Sequence, residues 1–61
     1  MEDIAEKVLA ARLRLNWSMR RLAREAGVGL DVVRRLESGG KIWAYKLAAI
    51  VTVLNYGTQA K

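Results

Sequence analysis

The side chains of this chain that can do chemistry are mostly basic. Eleven are Lys or Arg against six Asp or Glu, which gives a formal net charge of +5 at pH 7 and a pI near 10.3. The chain has no cysteine and no histidine, so disulfides, thiolate-bound metals and imidazole acid–base chemistry lack their residues. We therefore expect no catalytic site, no metal and no cofactor. The basic excess suits a polyanionic partner, and the alternative is a domain whose charges only solvate it.

Five of the eleven basic residues, all of them arginines, lie in one stretch, SMRRLAREAGVGLDVVRRLESG, which spans residues 18–39. Apolar residues recur in it at inward positions of two short helices, while the arginines fall on the outside. Ser18 is a good N-cap for the first helix, and Gly27 stands where a left-handed backbone is needed after its last turn. Trp17, just before the cap, is expected to pack into the core. This pattern predicts two helices joined by a tight turn, as in a helix-turn-helix motif.

The rest of the chain supplies the elements that must hold this motif. The chain has no proline and many Ala, Leu and Arg residues, which favours helix throughout. We predict an all-α fold in one domain, residues 1–61, with helices at about 3–15, 19–26, 30–38 and 44–55 and a tail over 57–61. The apolar run over 47–54 is too short to span a bilayer, and the acidic N-terminus does not resemble a secretory signal. A cytoplasmic or nucleoid location follows as an expectation.

Four segments resemble one known family. They are VLAAR (8–12), WSMRRLAREAGV (17–28), VRRLESG (33–39) and LAAIVTVL (47–54). In these residues the chain resembles the Cro/repressor-type, or XRE-type, helix-turn-helix domains of phages and bacteria. The resemblance implies a compact four-helix fold of the lambda-repressor type, without the fifth helix of many relatives. It also implies double-stranded DNA as the partner.

The resemblance, together with charge, assigns expected roles to individual residues. The third helix looks like the recognition helix, and its candidate base-reading residues are Leu30, Asp31, Arg34 and Arg35. Candidate phosphate contacts are Ser18, Met19 and Ser38, by resemblance, and Arg20, Arg21, Arg24, Lys41 and Lys46, by charge. Arg12 and Glu37 match a pair that forms a partly buried salt bridge in many relatives. For Glu37 the alternative is a solvated charge.

Some positions depart from the family pattern or admit two interpretations. Met19 stands where many relatives have a glutamine that binds a phosphate, and Leu30 offers only an apolar contact, for example to a thymine methyl. Asp31 either accepts a hydrogen bond from a cytosine amino group or only caps the third helix. Leu9 and Leu13 form a second apolar stripe on the first helix, which is either over-burial in a small core or part of a partner interface.

One such domain covers few base pairs, so a homodimer reading two half-sites of a palindromic operator is expected. Apolar residues in excess of what four helices need are candidates for its interface, namely Leu9, Leu13, Trp43, Val53 and Tyr56. The function that follows is a small transcriptional regulator, most like a phage or plasmid repressor, and not an enzyme. The competing function is a protein-interaction module of the same fold, such as an antitoxin. A basic membrane-surface domain ranks below both.

Overall fold

The computed structural model describes residues 4–59, and this range contains four helices and no strand. The helices are α1 (Ile4–Arg14), α2 (Met19–Ala26), α3 (Leu30–Glu37) and α4 (Ala44–Gln59). The all-α class and the four-helix helix-turn-helix arrangement predicted from the sequence are confirmed. The expected start of α1 at Asp3 lies outside the described residues. Across residues 4–59, no helix is both long and apolar enough to cross a membrane.

One hydrophobic core joins the four helices. α2 packs against α3 and α4, and α1 packs against the same two helices. Leu22, Val33 and Ile50, one each from α2, α3 and α4, have no exposed surface at all. Val8 of α1 is 2% exposed and completes the centre. Since every helix supplies at least one of these side chains, removing any helix would open the same core to water.

The link between α2 and α3 forms as its sequence predicts. The hydroxyl oxygen of Ser18 accepts a hydrogen bond from the backbone N–H of Arg21 at 3.0 Å, which satisfies one of the free donors at the start of α2. At the other end Gly27 takes a left-handed backbone with φ 72°. The N–H of Val28 then reaches back to the carbonyl of Ala23 at 3.0 Å. The chain thus reverses direction tightly enough for α3 to pack directly on α2.

The predicted end of the last helix was wrong. The sequence suggested a helix to about residue 55 and a tail from residue 57, because no periodic apolar pattern remains after residues 56–57. In the structure α4 continues to Gln59, and residues 60–61 of the expected tail lie outside the described residues. The reason is packing: a Cβ at Gly57 would lie 2.8 Å from Cδ1 of Leu15 and 3.5 Å from the ring of Trp17. The glycine therefore lets α4 pass closely beneath the α1–α2 connection.

The region between α1 and α2 also differs in detail from the prediction. α1 ends at Arg14, one residue early, and Asn16 takes a left-handed φ of 61°. Trp17 is half-buried and packs against the core, as expected from its position before the cap. The guanidinium of Arg21 lies over the ring of Trp17, with 4.7 Å between Cζ and the ring centre. The indole thus packs against the core and supports a basic side chain as well.

Candidate nucleic-acid interface

The outer surfaces of α2 and α3 carry exposed arginines. Arg20 and Arg24 are exposed on α2, and Arg34 and Arg35 are exposed on α3. Their helices present the core residues Leu22 and Val33 on the opposite side. The motif therefore has one apolar and one strongly basic surface, as the spacing of its residues predicts.

An open groove of about 480 Å³ lies beside α3. Its walls are formed by α3, by the connection from α3 to α4, and by the first turns of α4. The side chains that line it and can make polar contacts are Asp31, Arg35, Lys41, Trp43 and Lys46. Three cations and one carboxylate thus share a single groove. The structure brings together here residues that the sequence analysis had assigned to base reading, to phosphate contact and to dimerisation.

The glycines that follow α3 lie close to Arg35. Gly39 takes φ 94°, and the N–H of Gly40 donates to the carbonyl of Arg35 at 2.8 Å. A Cβ at Gly40 would lie 2.6 Å from Cγ of Arg35 and 3.1 Å from its carbonyl oxygen. The backbone therefore lies directly against the aliphatic part of Arg35, which holds that part against the end of α3. This role of Gly40 was not predicted from the sequence.

The two serines at the outer ends of the motif are both hydrogen-bonded. Ser18 accepts from the backbone of α2, so its own hydroxyl hydrogen is available to a further acceptor. The hydroxyl of Ser38 lies 3.0 Å from the carbonyl oxygens of both Arg34 and Arg35 and donates to this pair. Ser38 therefore closes the end of α3, and its hydroxyl can meet a phosphate oxygen as a donor only by leaving these carbonyls.

Three other candidate residues have surroundings that limit their roles. Met19 is half-buried and packs against the core, so its side chain belongs to the interior. Arg21 lies over Trp17 and also approaches Glu25, with 3.7 Å between Nε and Oε2. A Cβ at Gly29, the N-cap of α3, would collide with the carboxylate oxygen Oδ1 of Asp31. The Asp31 carboxylate therefore lies over the start of α3, where the helix dipole favours a negative charge.

Arg12 and Glu37 form the most extensively hydrogen-bonded ion pair among the described residues. Nε of Arg12 donates to Oε2 of Glu37 at 2.7 Å, and Nη2 donates to Oε1 at 3.0 Å. A third bond, from Nη1 to the carbonyl of Trp17, measures 2.7 Å. The two side chains are only 10% and 3% exposed, and no buried side-chain nitrogen or oxygen of the described residues lacks a partner. We call this three-bond arrangement the brace.

The five residues expected at a dimer interface lie in different surroundings. Leu13, Trp43 and Tyr56 are strongly exposed, at 57%, 72% and 71% of their surface. Leu9 and Val53 are half-buried. The small core therefore does not take up Leu13, although the sequence left that interpretation open. Tyr45, which the sequence analysis did not select, is equally exposed at 69%.

Trp43 was assigned to a dimer interface from the sequence, but it lies in the groove beside α3. It lines the groove together with Arg35, Lys41 and Lys46. The signal in the sequence was its position between two lysines, directly after the end of the motif. A residue's distance from the recognition helix cannot be read from that spacing alone, because it depends on how the α3–α4 connection folds back.

A family model described as helix-turn-helix matches residues 8–59, which is most of the chain. The chain therefore belongs to the XRE-type helix-turn-helix family, as the resemblance suggested. This is a family of DNA-binding regulatory domains. No curated protein and no solved structure matches the chain. Within the described part of the chain, no group of three or more acidic residues is placed to hold a metal ion.

Proposed function

We propose that the protein is a sequence-specific regulator of transcription, a small repressor of the phage or plasmid type, that inserts α3 into the major groove of its operator. The observation that carries this proposal is the position of Arg35. Its side chain is exposed on α3, its stem is held against Gly40, and it shares a groove with Lys41 and Lys46. A planar guanidinium in a groove that also contains two lysines suits a guanine edge, with O6 and N7 as acceptors.

The other outer residues of α3 contribute less than Arg35 to recognition of the DNA sequence. Arg34 is exposed beside Arg35 and is within reach of either a base or a phosphate. Leu30 is half-buried and offers an apolar contact to a thymine methyl. Asp31 makes no capping hydrogen bond, but its carboxylate lies over its own helix start, which favours a charge–dipole role there over a hydrogen bond to cytosine. Sequence preference is therefore expected to be concentrated on one base pair per half-site, the one that Arg35 contacts.

Phosphate contacts provide the affinity in this proposal. Arg20 and Arg24 are exposed on α2, and Lys41 and Lys46 border the groove. The first N–H groups of α2, at Met19 and Arg20, precede any acceptor within the helix and suit a phosphate oxygen, as does the hydroxyl of Ser18. Arg21 and Ser38 have internal partners, so we expect smaller contributions from them.

The repressor acts as a homodimer in this proposal, with two copies of α3 about one helical turn apart (~34 Å) on a palindromic operator. The exposed apolar residues outside the groove, Leu13 and Tyr56, support an interface between copies, with the half-buried Leu9 and Val53 beside them. Binding over a promoter would block polymerase. As a DNA-binding regulator, the protein acts in the compartment that holds the DNA, within the bacterial cell.

The test is selection of bound sequences from a random duplex pool, followed by mobility shifts with the selected site. Arg35→Ala should relax the preference at one position per half-site, which is about 1–3 kcal/mol of discrimination. Arg20→Ala is the matched control, since it removes an equally exposed arginine from α2 and should weaken all sequences alike. If both variants lose the same sequence preference, the assignment of reading to Arg35 is wrong.

A salt titration of the same complexes separates DNA binding from a role in protein contact alone. The logarithm of the affinity should fall linearly with the logarithm of the salt concentration, with a slope of about −0.9 for each phosphate neutralised. Arg20→Ala should reduce the magnitude of that slope by about one such unit. If no shift is seen with any duplex at low salt, the protein is an interaction module that keeps only the fold.

A further inference from the structure

We propose that Trp43 is a DNA-contacting residue, which lies against the sugar–phosphate backbone beside α3 and contributes affinity that does not depend on salt. This inference rests on the proposed function and extends it, because it adds an aromatic contact to an interface so far built from cations and one reading helix. It also removes Trp43 from the interface between copies, to which its exposure alone had assigned it.

Trp43 lies within the proposed DNA interface. Trp43 lines the same groove as Arg35 and Asp31 of α3 and as Lys41 and Lys46. Arg35 is the proposed base-reading residue, and the two lysines are proposed phosphate contacts. A duplex that meets these three cations at once must cover the groove between them. An indole that is 72% exposed in that groove is then covered by the duplex as well.

The charges of the groove disfavour a second copy of this chain as the occupant. In a two-fold dimer the same patch is used by both copies and must be complementary to itself. A dimer formed through this groove would bring the three cations Arg35, Lys41 and Lys46 of one copy close to the same cationic patch of the other. Only Asp31 offers an opposite charge, and it lies over the start of its own helix. The groove therefore suits a polyanion and repels its own copy.

The chemistry of the indole matches a sugar–phosphate backbone. Its ring gives a large apolar face, and its Nε1–H is a donor with no acceptor function. A deoxyribose presents apolar C–H groups, and the phosphates beside it present acceptors only. Trp43 can therefore pack its ring on a sugar while it donates to a phosphate oxygen. Because the indole is uncharged, this contact releases no counterion on binding.

The experiment compares Trp43→Ala with two matched variants on the selected operator. Tyr45→Ala removes a neighbouring aromatic of similar exposure, 69%, that does not line the groove. Lys41→Ala removes a groove cation. We expect Trp43→Ala to weaken binding by about 5- to 50-fold at an unchanged salt slope. Lys41→Ala should weaken binding and reduce the slope by about 0.9. Tyr45→Ala, whose lost ring lies 6.0 Å from Nζ of Lys46, should weaken binding less than Trp43→Ala does.

Tryptophan fluorescence gives a direct measurement of the same contact. In Trp17→Phe the only tryptophan is Trp43, whose emission should change on adding operator and whose quenching by acrylamide should fall. In Trp43→Phe the remaining Trp17, half-buried beneath Arg21, should respond little. Circular dichroism of both variants first verifies that each one is folded.

The outcomes separate this inference from the function on which it rests. If no variant, parent included, shifts any duplex, the proposed function fails. If the parent binds and Trp43→Ala binds equally well, with no protection of the Trp43 emission, this inference is wrong and the function stands. If Trp43→Ala instead weakens self-association of the free protein in sedimentation, Trp43 belongs to the interface between copies and the inference is likewise overturned.

Discussion

Replacing Arg12 should destabilise the protein more than replacing any other basic residue of the chain. Arg12→Met keeps most of the length and apolar volume of the side chain but removes its charge and all its donors. Glu37, whose side chain is 3% exposed, would then hold a buried carboxylate whose two bonds at 2.7 and 3.0 Å are gone. The carbonyl of Trp17 would lose a third bond. Two of the three lost hydrogen bonds leave the Glu37 carboxylate buried without a counter-charge. An unpaired buried charge strongly lowers the free energy of unfolding.

The expected magnitude follows from this geometry. Breaking a buried pair by removing one partner costs about 3–5 kcal/mol. Small domains have total stabilities of about 5–15 kcal/mol, and a chain of this length lies toward the lower end. We therefore expect Arg12→Met to lose half or more of the free energy of unfolding. At about 4–8 °C for each kcal/mol, the melting temperature should fall by roughly 12–40 °C.

Urea unfolding followed by far-UV circular dichroism measures this loss. The matched control is Glu25→Ala, which breaks the pair between Arg21 and Glu25. That pair spans 3.7 Å between side chains 50% and 40% exposed, so its loss should cost less than about 0.5 kcal/mol. The double variant Arg12→Met/Glu37→Leu removes both charges and should recover much of the stability. The reasoning is refuted if Arg12→Met costs under about 1 kcal/mol, or if the double variant is no more stable than Arg12→Met.

Two glycine substitutions separate backbone strain from contact with a functional side chain. Gly27→Ala adds a Cβ with nothing within 4 Å, but at φ 72°, so urea unfolding should show a loss of about 1–2 kcal/mol from strain alone. Gly40→Ala would place a Cβ 2.6 Å from Cγ of Arg35, so mobility shifts should show weaker operator binding with relaxed preference, as for Arg35→Ala. A Gly40→Ala protein that keeps the parent preference would show that Arg35 does not depend on this contact.

The helix-turn-helix motif could be predicted from the sequence because its signals are local. Ser18 caps the helix that directly follows it, and Gly27 provides the left-handed residue at the point where that helix stops. Each signal acts within a few residues of the feature it determines, so no knowledge of the remaining chain is required. The bounds of α2 were accordingly predicted to the residue.

The end of α4 and the surroundings of Trp43 could not be predicted because distant parts of the chain determine them. The apolar periodicity ends near Gly57, but this glycine lies against Leu15 and Trp17, forty or more residues earlier, and the helix continues past it. Trp43 resembles a spare apolar residue until the α3–α4 connection folds back beside Arg35. In both cases tertiary packing outweighs the local pattern, as is common for single glycines and exposed aromatics.

The brace also explains why a buried charge is useful at this place in the fold. Glu37 is the last residue of α3, and Trp17 immediately precedes the cap of α2. One guanidinium therefore joins the two outer ends of the motif, while the Gly27 turn joins the inner ends. These bonds fix direction as well as distance, because each requires its donor to point at its acceptor.

An apolar replacement can fill the same space but cannot fix these directions. We therefore expect Arg12→Met/Glu37→Leu to recover stability to a greater extent than operator affinity. Mobility shifts at a temperature where the double variant is fully folded by circular dichroism measure the difference. If the folded double variant binds the operator as tightly as the parent, the brace serves stability alone, and its bond directions have no part in placing α2 and α3 on DNA.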